Sequence, residues 1–592
     1  MSQQHNLFEP ITIIEHNEDK SFEDKIRDIE SSLFNVWDDG WNLSISWSGG
    51  KDSSVLAAIV FGAALKYRAQ GATIPPMALC HANTLLENPV IDHYSKREIK
   101  KIEKFVNENN IPVTMSVATP SLSNNYLVNL IGGRTIACLS DNDAKCSQML
   151  KVTPITRQKR RIFKELGGKK VCTLVGKRRD ESAARAANMK ERGENYHTPV
   201  QNKPGEWVLS PISEFSLDDV FEYIGNVTSG MINTYSDFSD LIQVYRDGEG
   251  GECAISAYAD GKARKTGCGA RFGCWICLRV QNDKSMNNML EDPKYSYMKP
   301  LSQFRQYIKA RHYDWDSRNW LSRTVNDDGT IKIAPNAYSP EFCDKLMRFA
   351  LSIDADERQR AYEAGEKPKF ELLRLEDVIG IDVLWNRYGY QKGLHGARLW
   401  YEVNLLNRRW YPATDEPEHL PKPLPKDIKV PFADSHYGNP IHGFRDLSLA
   451  MIDQERVVVK NNRYYTDCNI ADEFKVDPEG AEMFFQWEME DAIERFHDFQ
   501  ICPTTAYHYL VRLGVVEIAR GQHSEQERML QLANQIWRLD LRDHLNNPQE
   551  IIARLSKHAG PSEKEGERKL GVKRIEPLLV SGVYSEGLFS GK

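Results

Sequence analysis

A chain of 592 residues exceeds what one hydrophobic core usually organises, so roughly two to four domains are expected. The formal net charge of −6 excludes nucleic-acid binding through the overall field and leaves that role to local basic patches. No apolar run approaches membrane-spanning length, the first residues lack a signal-peptide pattern, and 11 cysteines are too sparse for a disulfide scaffold, so a soluble, cytoplasmic chain without membrane attachment is expected.

In chain order, Ser21 and Asp24 form a capping pair, and Phe22, Ile26, Ile29, Leu33 and Val36 follow at helical spacing. Leu43 to Ser46 alternates as a strand, and Val55 to Leu65 is apolar enough for a buried helix. Between them lies Ser48-Gly49-Gly50-Lys51-Asp52-Ser53-Ser54. Glycines at a strand end let backbone N–H groups turn toward one point, and the helix N-terminus adds its positive dipole end. Ser53 or Ser54 is expected to cap the helix, and Lys51 supplies a mobile cation. The stretch reads as a phosphate cradle, although not of the Walker type, which spaces its glycines differently. An ordinary glycine turn opening a core helix is the bland alternative.

Residues 76–82 predict a second buried strand, Ile99 to Val106 marks a helix, and residues 113–117 predict a third strand. A less regular stretch carries Cys146, a buried small hydrophobe by default and a sulfur carrier as the alternative. Arg157, Lys159, Arg160 and Arg161 form a basic run, either a solvated helix face or a surface for a phosphate backbone. Residues 169–176 predict a further strand ending at Gly176, followed by Arg178, Glu181 and Arg185. Ser216 with Asp219 caps the next helix. Strand–helix alternation at this spacing predicts an α/β fold with a doubly wound parallel sheet, whose ligands lie outside the carboxyl ends of the strands.

Four cysteines then cluster: Cys253, Cys268, Cys274 and Cys277. A Cys-x-x-Cys pair can bite one metal, and two more thiolates complete either a zinc site or a four-iron four-sulfur (4Fe-4S) cluster. Trp275, Ile276 and Phe272 are placed to keep water from such a centre. From Leu301 onward the signals weaken. Pro335 to Pro340 reads as a linker, Leu372 to Tyr388 as a helix, residues 411–442 as a proline-rich linker or wrap, and Gln486 to Phe499 as a helix. A helix ending at Gly514 and followed by a strand reads either as a winged-helix reader or as a plain helix pair. Lys557 to Arg574 is charged and expected to be flexible.

The Ser48–Ser53 order resembles the pyrophosphate-binding loop of the N-type ATP pyrophosphatases. Together with Gly176–Arg185 and Ser210–Ile224, it is similar to the phosphoadenosine phosphosulfate reductase family over roughly residues 40 to 230. That resemblance implies an adenine nucleotide alpha hydrolase-like fold binding ATP with Mg²⁺. It places the nucleotide on Ser48, Gly49, Gly50, Lys51, Asp52, Ser53, Ser54, Gly176 and Glu181, with catalytic work at Lys51, Asp52, Arg178 and Arg185.

Thr84 to Pro89, Arg271 to Cys277 and Asp283 to Met286 further resemble the ATP pyrophosphatases of bacterial DNA phosphorothioation (the DndC and SspD types) over about residues 40 to 300. This implies ATP-dependent sulfur transfer to the DNA backbone, with DNA, a cysteine desulfurase and other DNA-modification subunits as partners. It also implies a 4Fe-4S cluster on Cys253, Cys268, Cys274 and Cys277. The expected organisation is an N-terminal helix (1–40), an ATP pyrophosphatase domain (41–230), a four-cysteine segment (231–300), a helical region (301–410), a linker (411–442), a helical C-terminal domain (443–556) and a charged tail (557–592). Three other functions share parts of the pattern: an adenylyl-sulfate reductase, a tRNA thiolation enzyme, and a DNA-binding subunit that senses ATP without turnover. Against the reductase, no cysteine follows Cys502 and no Cys-Cys pair occurs.

Overall fold

The computed structural model describes residues 20–139, 145–167, 170–203, 205–249, 272–413, 417–421, 423–432, 457–460, 463–466, 472–498, 501–519 and 521–558. Two compact units make up the chain. One comprises Met1–Ala82, Val90–Ala118 and Thr156–Ala270, and the other Asn83–Pro89, Thr119–Ile155 and Arg271–Lys592. No helix among the described residues is long and apolar enough to cross a membrane.

The first unit is built on six strands: β1 (Asn42–Trp47), β2 (Met77–Ala82), β3 (Val113–Ala118), β4 (Val171–Val175), β5 (Val200–Gln201) and β6 (Trp207–Leu209). They lie in the order β3-β2-β1-β4-β6-β5, parallel throughout except for β5. Helices α1 (Phe22–Asp38), α2 (Lys51–Ala69), α3 (Pro89–Glu108), α4 (Thr153–Glu165), α5 (Ala183–Glu191), α6 (Leu217–Thr228) and α7 (Ser239–Gly248) accompany the sheet. This is the doubly wound α/β arrangement that strand–helix alternation predicts. Every residue of β1 except Ser46 is buried, and α2 buries Ser53 through Phe61 without a break. An apolar helix with no polar stripe belongs inside a fold, as its sequence implies.

The topology also locates the cleft. From β1 the chain moves outward through β2 to β3, then returns to place β4 on the other side of β1. That reversal opens a crevice at the carboxyl ends of β1 and β4. The glycine loop leaves β1 there, and Gly176 leaves β4 there.

Two local expectations change. Helix α2 starts at Lys51, with Gly50 as its N-cap and no side-chain cap. Ser53 and Ser54 therefore lie inside its first turn, because the extended Gly50 takes the cap position three residues before Ser53. At α1 and α6 the side chains of Ser21 and Ser216 do accept the expected capping hydrogen bonds, from the backbone N–H groups of Asp24 and Asp219.

In the second unit, strands at Arg318–Val325, Thr330–Tyr338 and Ile428–Pro431 form an antiparallel sheet. The helices Pro340–Glu363, Leu375–Tyr388 and His395–Asn404 bury Leu346, Met347, Phe349, Leu384, Trp385 and Leu399. Two buried carboxylates tie its turns. Asp354 accepts the N–H groups of Leu372 and Leu373 at 2.8 and 2.9 Å, and Asp382 accepts those of Gly396 and Ala397 at 2.7 and 2.9 Å.

Several C-terminal readings are corrected here. Pro335 is no linker: it lies inside the strand Thr330–Tyr338, where the pairing jumps from Leu321↔Ile333 to Asn319↔Ala337. A bulge tolerates a residue that cannot donate a backbone hydrogen bond. The proline-rich stretch contributes the strand Ile428–Pro431, whose single buried valine is too short a signal for periodicity to register. Residues 301–410 thus contain a hairpin as well as helices, and residues 443–556 carry the pairs Val457–Lys460 with Arg463–Thr466 and Phe474–Val476 with Val516–Ile518. The helix predicted from Gln486 belongs to a longer helical run, Pro478 to Asp498, broken by two π-helical turns.

Candidate functional site

Gly49 adopts φ +75°, and a Cβ there would lie 2.9 Å from the Ser95 hydroxyl, so only glycine fits. The loop is stapled from within. Ser48 N–H donates to Ser53 Oγ at 3.1 Å, the two hydroxyls lie 3.0 Å apart, and Ser53 Oγ–H donates to the Gly50 carbonyl at 3.0 Å. Ser53 thus shapes the loop, while Ser54 is fully buried beneath it and its carbonyl accepts from the Tyr235 hydroxyl at 3.4 Å. The resemblance implies both Ser53 and Ser54 as nucleotide contacts; in the fold both side chains are buried.

Lys51 stands at the helix start with its ammonium 3.5 Å from Asp52 and 5.5 Å from the centre of the Tyr245 ring. The Lys51 N–H donates to the Tyr245 hydroxyl at 3.4 Å. Tyr245, on α7, therefore touches both the backbone donor and the cation that a phosphate would use. Nothing in the sequence marked it.

Asp52 is held by Arg178, whose Nε donates to Asp52 Oδ1 at 2.6 Å and whose Nη1 reaches Asp180 at 3.3 Å. The Arg178 side chain is only 4% exposed and that of Asp52 20%. Gly176 permits this meeting: a Cβ there would lie 3.1 Å from the Asp52 carbonyl and the Ser53 nitrogen. The Arg178 N–H donates to Glu181, whose other carboxylate oxygen pairs with Arg185. The structure thus gathers Lys51, Asp52, Gly176 and Arg178 at one point. Arg185 is not among them: it is 45% exposed and paired along its own helix turn with Glu181. Any Mg²⁺ held by Asp52 would share that carboxylate with Arg178.

In the basic run, Lys159 pairs with Glu206 at 2.8 Å and Arg161 with Glu165 at 2.7 Å, while Arg157 and Arg160 lie on the exposed side of α4. Lys159 and Arg161 are therefore neutralised within the unit.

In the second unit, Cys274-Trp275-Ile276-Cys277 forms a tight turn with the Cys277 N–H donating to the Cys274 carbonyl at 3.0 Å. Residues 84–87 pack against it. Glu87 bridges Cys274, the Trp275 N–H donates to the Leu86 carbonyl at 2.9 Å, and the Thr84 hydroxyl lies 3.6 Å from Cys274 Sγ. Burial, and then the Glu87 charge, push the Cys274 thiol up to about 11. Arg305 donates to the Cys277 carbonyl at 2.9 Å, and Trp275 meets Phe304 edge to face.

The neighbouring Cys138, then burial, push the Cys146 thiol up from its ordinary value. Cys138 is buried, and its eight-residue spacing to Cys146 carries no metal signature in the sequence. Cys253 and Cys268 lie outside the described residues. Among the described residues no three Cys, His, Asp or Glu side chains are arranged to hold a metal ion.

Residues 42–233 match the family model of the phosphoadenosine phosphosulfate reductase domain, which fits a nucleotide-using unit with sulfur-related chemistry. No curated protein matches the chain. Among solved structures, it is similar to the Candida glabrata FMN adenylyltransferase in complex with FMN and the ATP analog AMPCPP, at 13% identity over 41% of this chain and 75% of that one, with a TM-score of 0.24.

Proposed function

We propose that this protein is an ATP pyrophosphatase that transfers sulfur to the DNA backbone. The observation that carries the ATP half is the cradle itself: a glycine loop at the topological switch point, opening a buried helix and flanked by Lys51 and the Asp52–Arg178 pair. ATP lies with its departing pyrophosphate on the Gly49–Lys51 backbone and the Lys51 ammonium. A phosphodiester oxygen attacks the α-phosphorus, and pyrophosphate leaves onto the loop. The outer sulfur of a persulfide supplied by a cysteine desulfurase then attacks the activated DNA phosphorus and displaces AMP, and a thiol reductant cleaves the remaining S–S bond to release the phosphorothioate. Arg178 is buried and fixed on two carboxylates, so its charge is preorganised and costs no reorientation during the reaction.

The DNA half is supported by the Thr84–Pro89 and Cys274–Cys277 segments, alike in sequence to phosphorothioation enzymes and packed on one another. Their soft thiol donors suit zinc or an iron–sulfur cluster. Cys274 and Cys277 would hold it, with Cys253 and Cys268 as the pair that the resemblance adds. Such a cluster supplies an electron-transfer or sulfur-handling centre.

The family match itself favours a second reading, a phosphoadenylyl-sulfate or adenylyl-sulfate reductase. Purified protein separates the two. DNA-stimulated release of pyrophosphate from ATP supports sulfur transfer to DNA. Sulfite from an adenylyl-sulfate substrate, with no pyrophosphate released from ATP, overturns it.

A further inference from the structure

We propose that Lys101 and Asp240 are positioning residues for the phosphate cradle: anchored on the buried Glu98, they hold α7 so that Tyr245 stays beside the Lys51 ammonium. The inference rests on the reading that Lys51 binds the phosphates of ATP, and it does not depend on what accepts the sulfur. All of these residues belong to the first unit.

Helix α3 turns one face to the interior, with Tyr94, Ser95, Glu98 and Ile102 buried at helical spacing. The start of that face supports the loop: a Cβ at Gly49 would lie 2.9 Å from the Ser95 hydroxyl and 3.6 Å from the Tyr94 ring. One turn later the same face carries a charge. Glu98 is fully buried, its carboxylate lies 2.7 Å from the Lys101 ammonium, and no hydrogen-bond donor among the described residues satisfies it. An ionised carboxylate taken out of water needs a compensating cation, and Lys101 supplies it.

Lys101 is not confined to that pair. Its ammonium also donates to Asp240 at 3.0 Å, and Arg97 stands 3.6 Å from the same carboxylate. Asp240 lies in the first turn of α7, where a negative charge also meets the positive end of the helix dipole. That helix opens at Phe238 without a side-chain cap, so the bridge ties a turn that no capping hydrogen bond holds. Five residues along α7, Tyr245 is buried, with its ring centre 5.5 Å from the Lys51 ammonium and its hydroxyl accepting the Lys51 N–H at 3.4 Å. The helix has ten residues, so a shift of its first turn carries the ring with it. Buried ion pairs add little net stability over apolar side chains of similar volume, but they demand one geometry. The α3 face therefore sets both sides of the cradle: the glycine turn through Ser95, and the lysine through Asp240 and Tyr245.

Calorimetry of the full chain with the non-cleavable analogue AMPCPP and Mg²⁺ tests this. Lys101→Met keeps the stem and removes the charge. It is expected to weaken binding about two- to fivefold, the same loss as Tyr245→Leu, because both changes take the ring from the ammonium. The double variant is expected to bind no more weakly than Tyr245→Leu alone, since the two changes remove one interaction. Lys101→Arg, a cation that still reaches both carboxylates, is expected to keep wild-type affinity. Far-UV circular dichroism checks each fold, and Asp240→Asn, at a partly exposed side chain, takes the place of Lys101→Met if that variant unfolds. Unchanged affinity in Lys101→Met, losses that multiply in the double variant, or a Lys101→Arg protein as weak as Lys101→Met would each overturn the inference alone. A wild-type chain that does not bind the analogue overturns it together with the ATP reading, so the two failures are distinguishable.

Discussion

Truncating Asp52 tests whether the loop and the strand-end arginine work as one unit. Asp52→Ala leaves the Arg178 guanidinium, 4% exposed, without the carboxylate at 2.6 Å and with Asp180 alone at 3.3 Å. At that shorter distance and an effective dielectric near 20, the gross attraction is about 6 kcal/mol. Desolvation consumes most of it, and the partial exposure of Asp52 screens the rest, so the expected cost is about 2 kcal/mol. A double-mutant cycle with Arg178→Ala, followed by urea unfolding, should give a coupling energy of about 1–2 kcal/mol. Asp52→Asn keeps the shape and one acceptor; it should be milder in stability yet lower pyrophosphate release about 100-fold. A coupling energy below about 0.5 kcal/mol would refute the claim that this pair preorganises the site.

Lys51→Ala should abolish pyrophosphate release, measured by a coupled phosphate assay, while lowering unfolding free energy by no more than about 1–2 kcal/mol. Tyr245→Leu removes the ring under the Lys51 ammonium, worth about 0.5–1 kcal/mol, so ATP affinity by calorimetry should fall about two- to fivefold; Tyr245→Phe should retain it. Burial pushes Asp354 up to about 8 and Asp382 to about 6, above the ordinary 3.8, although two backbone N–H bonds pull each back down. The folded state therefore binds the extra protons, and these groups' contribution to stability is fully present below the ordinary value and lost as pH rises to about 8. Asp354→Asn should flatten the slope of unfolding free energy against pH over that window; an unchanged slope contradicts it.

The strand–loop–helix cradle was legible in the sequence because its causes are local. A short alternating run, paired glycines and an unbroken apolar stretch lie within two dozen residues, and each demands one conformation. Gly176 and Arg178 were legible as a motif, but the reason for them, the close approach to Asp52, appears only once β4 lies beside β1. Tyr245 carried no signal, being 194 residues from the lysine it touches. Arg185 shows the reverse: a motif residue whose nearest partner is the glutamate one helical turn before it. Pro335 misled because a proline usually ends a strand, and a bulge let this one continue.

The claim that sulfur goes to DNA is tested most directly by mass spectrometry of nuclease-digested DNA from cells carrying this chain and its companion subunits. Sulfur-containing, nuclease-resistant dinucleotides are expected with the wild-type chain and should vanish with Lys51→Ala. DNA sulfur that persists in the Lys51→Ala strain, while sulfite production or tRNA thionucleosides disappear, would contradict the account.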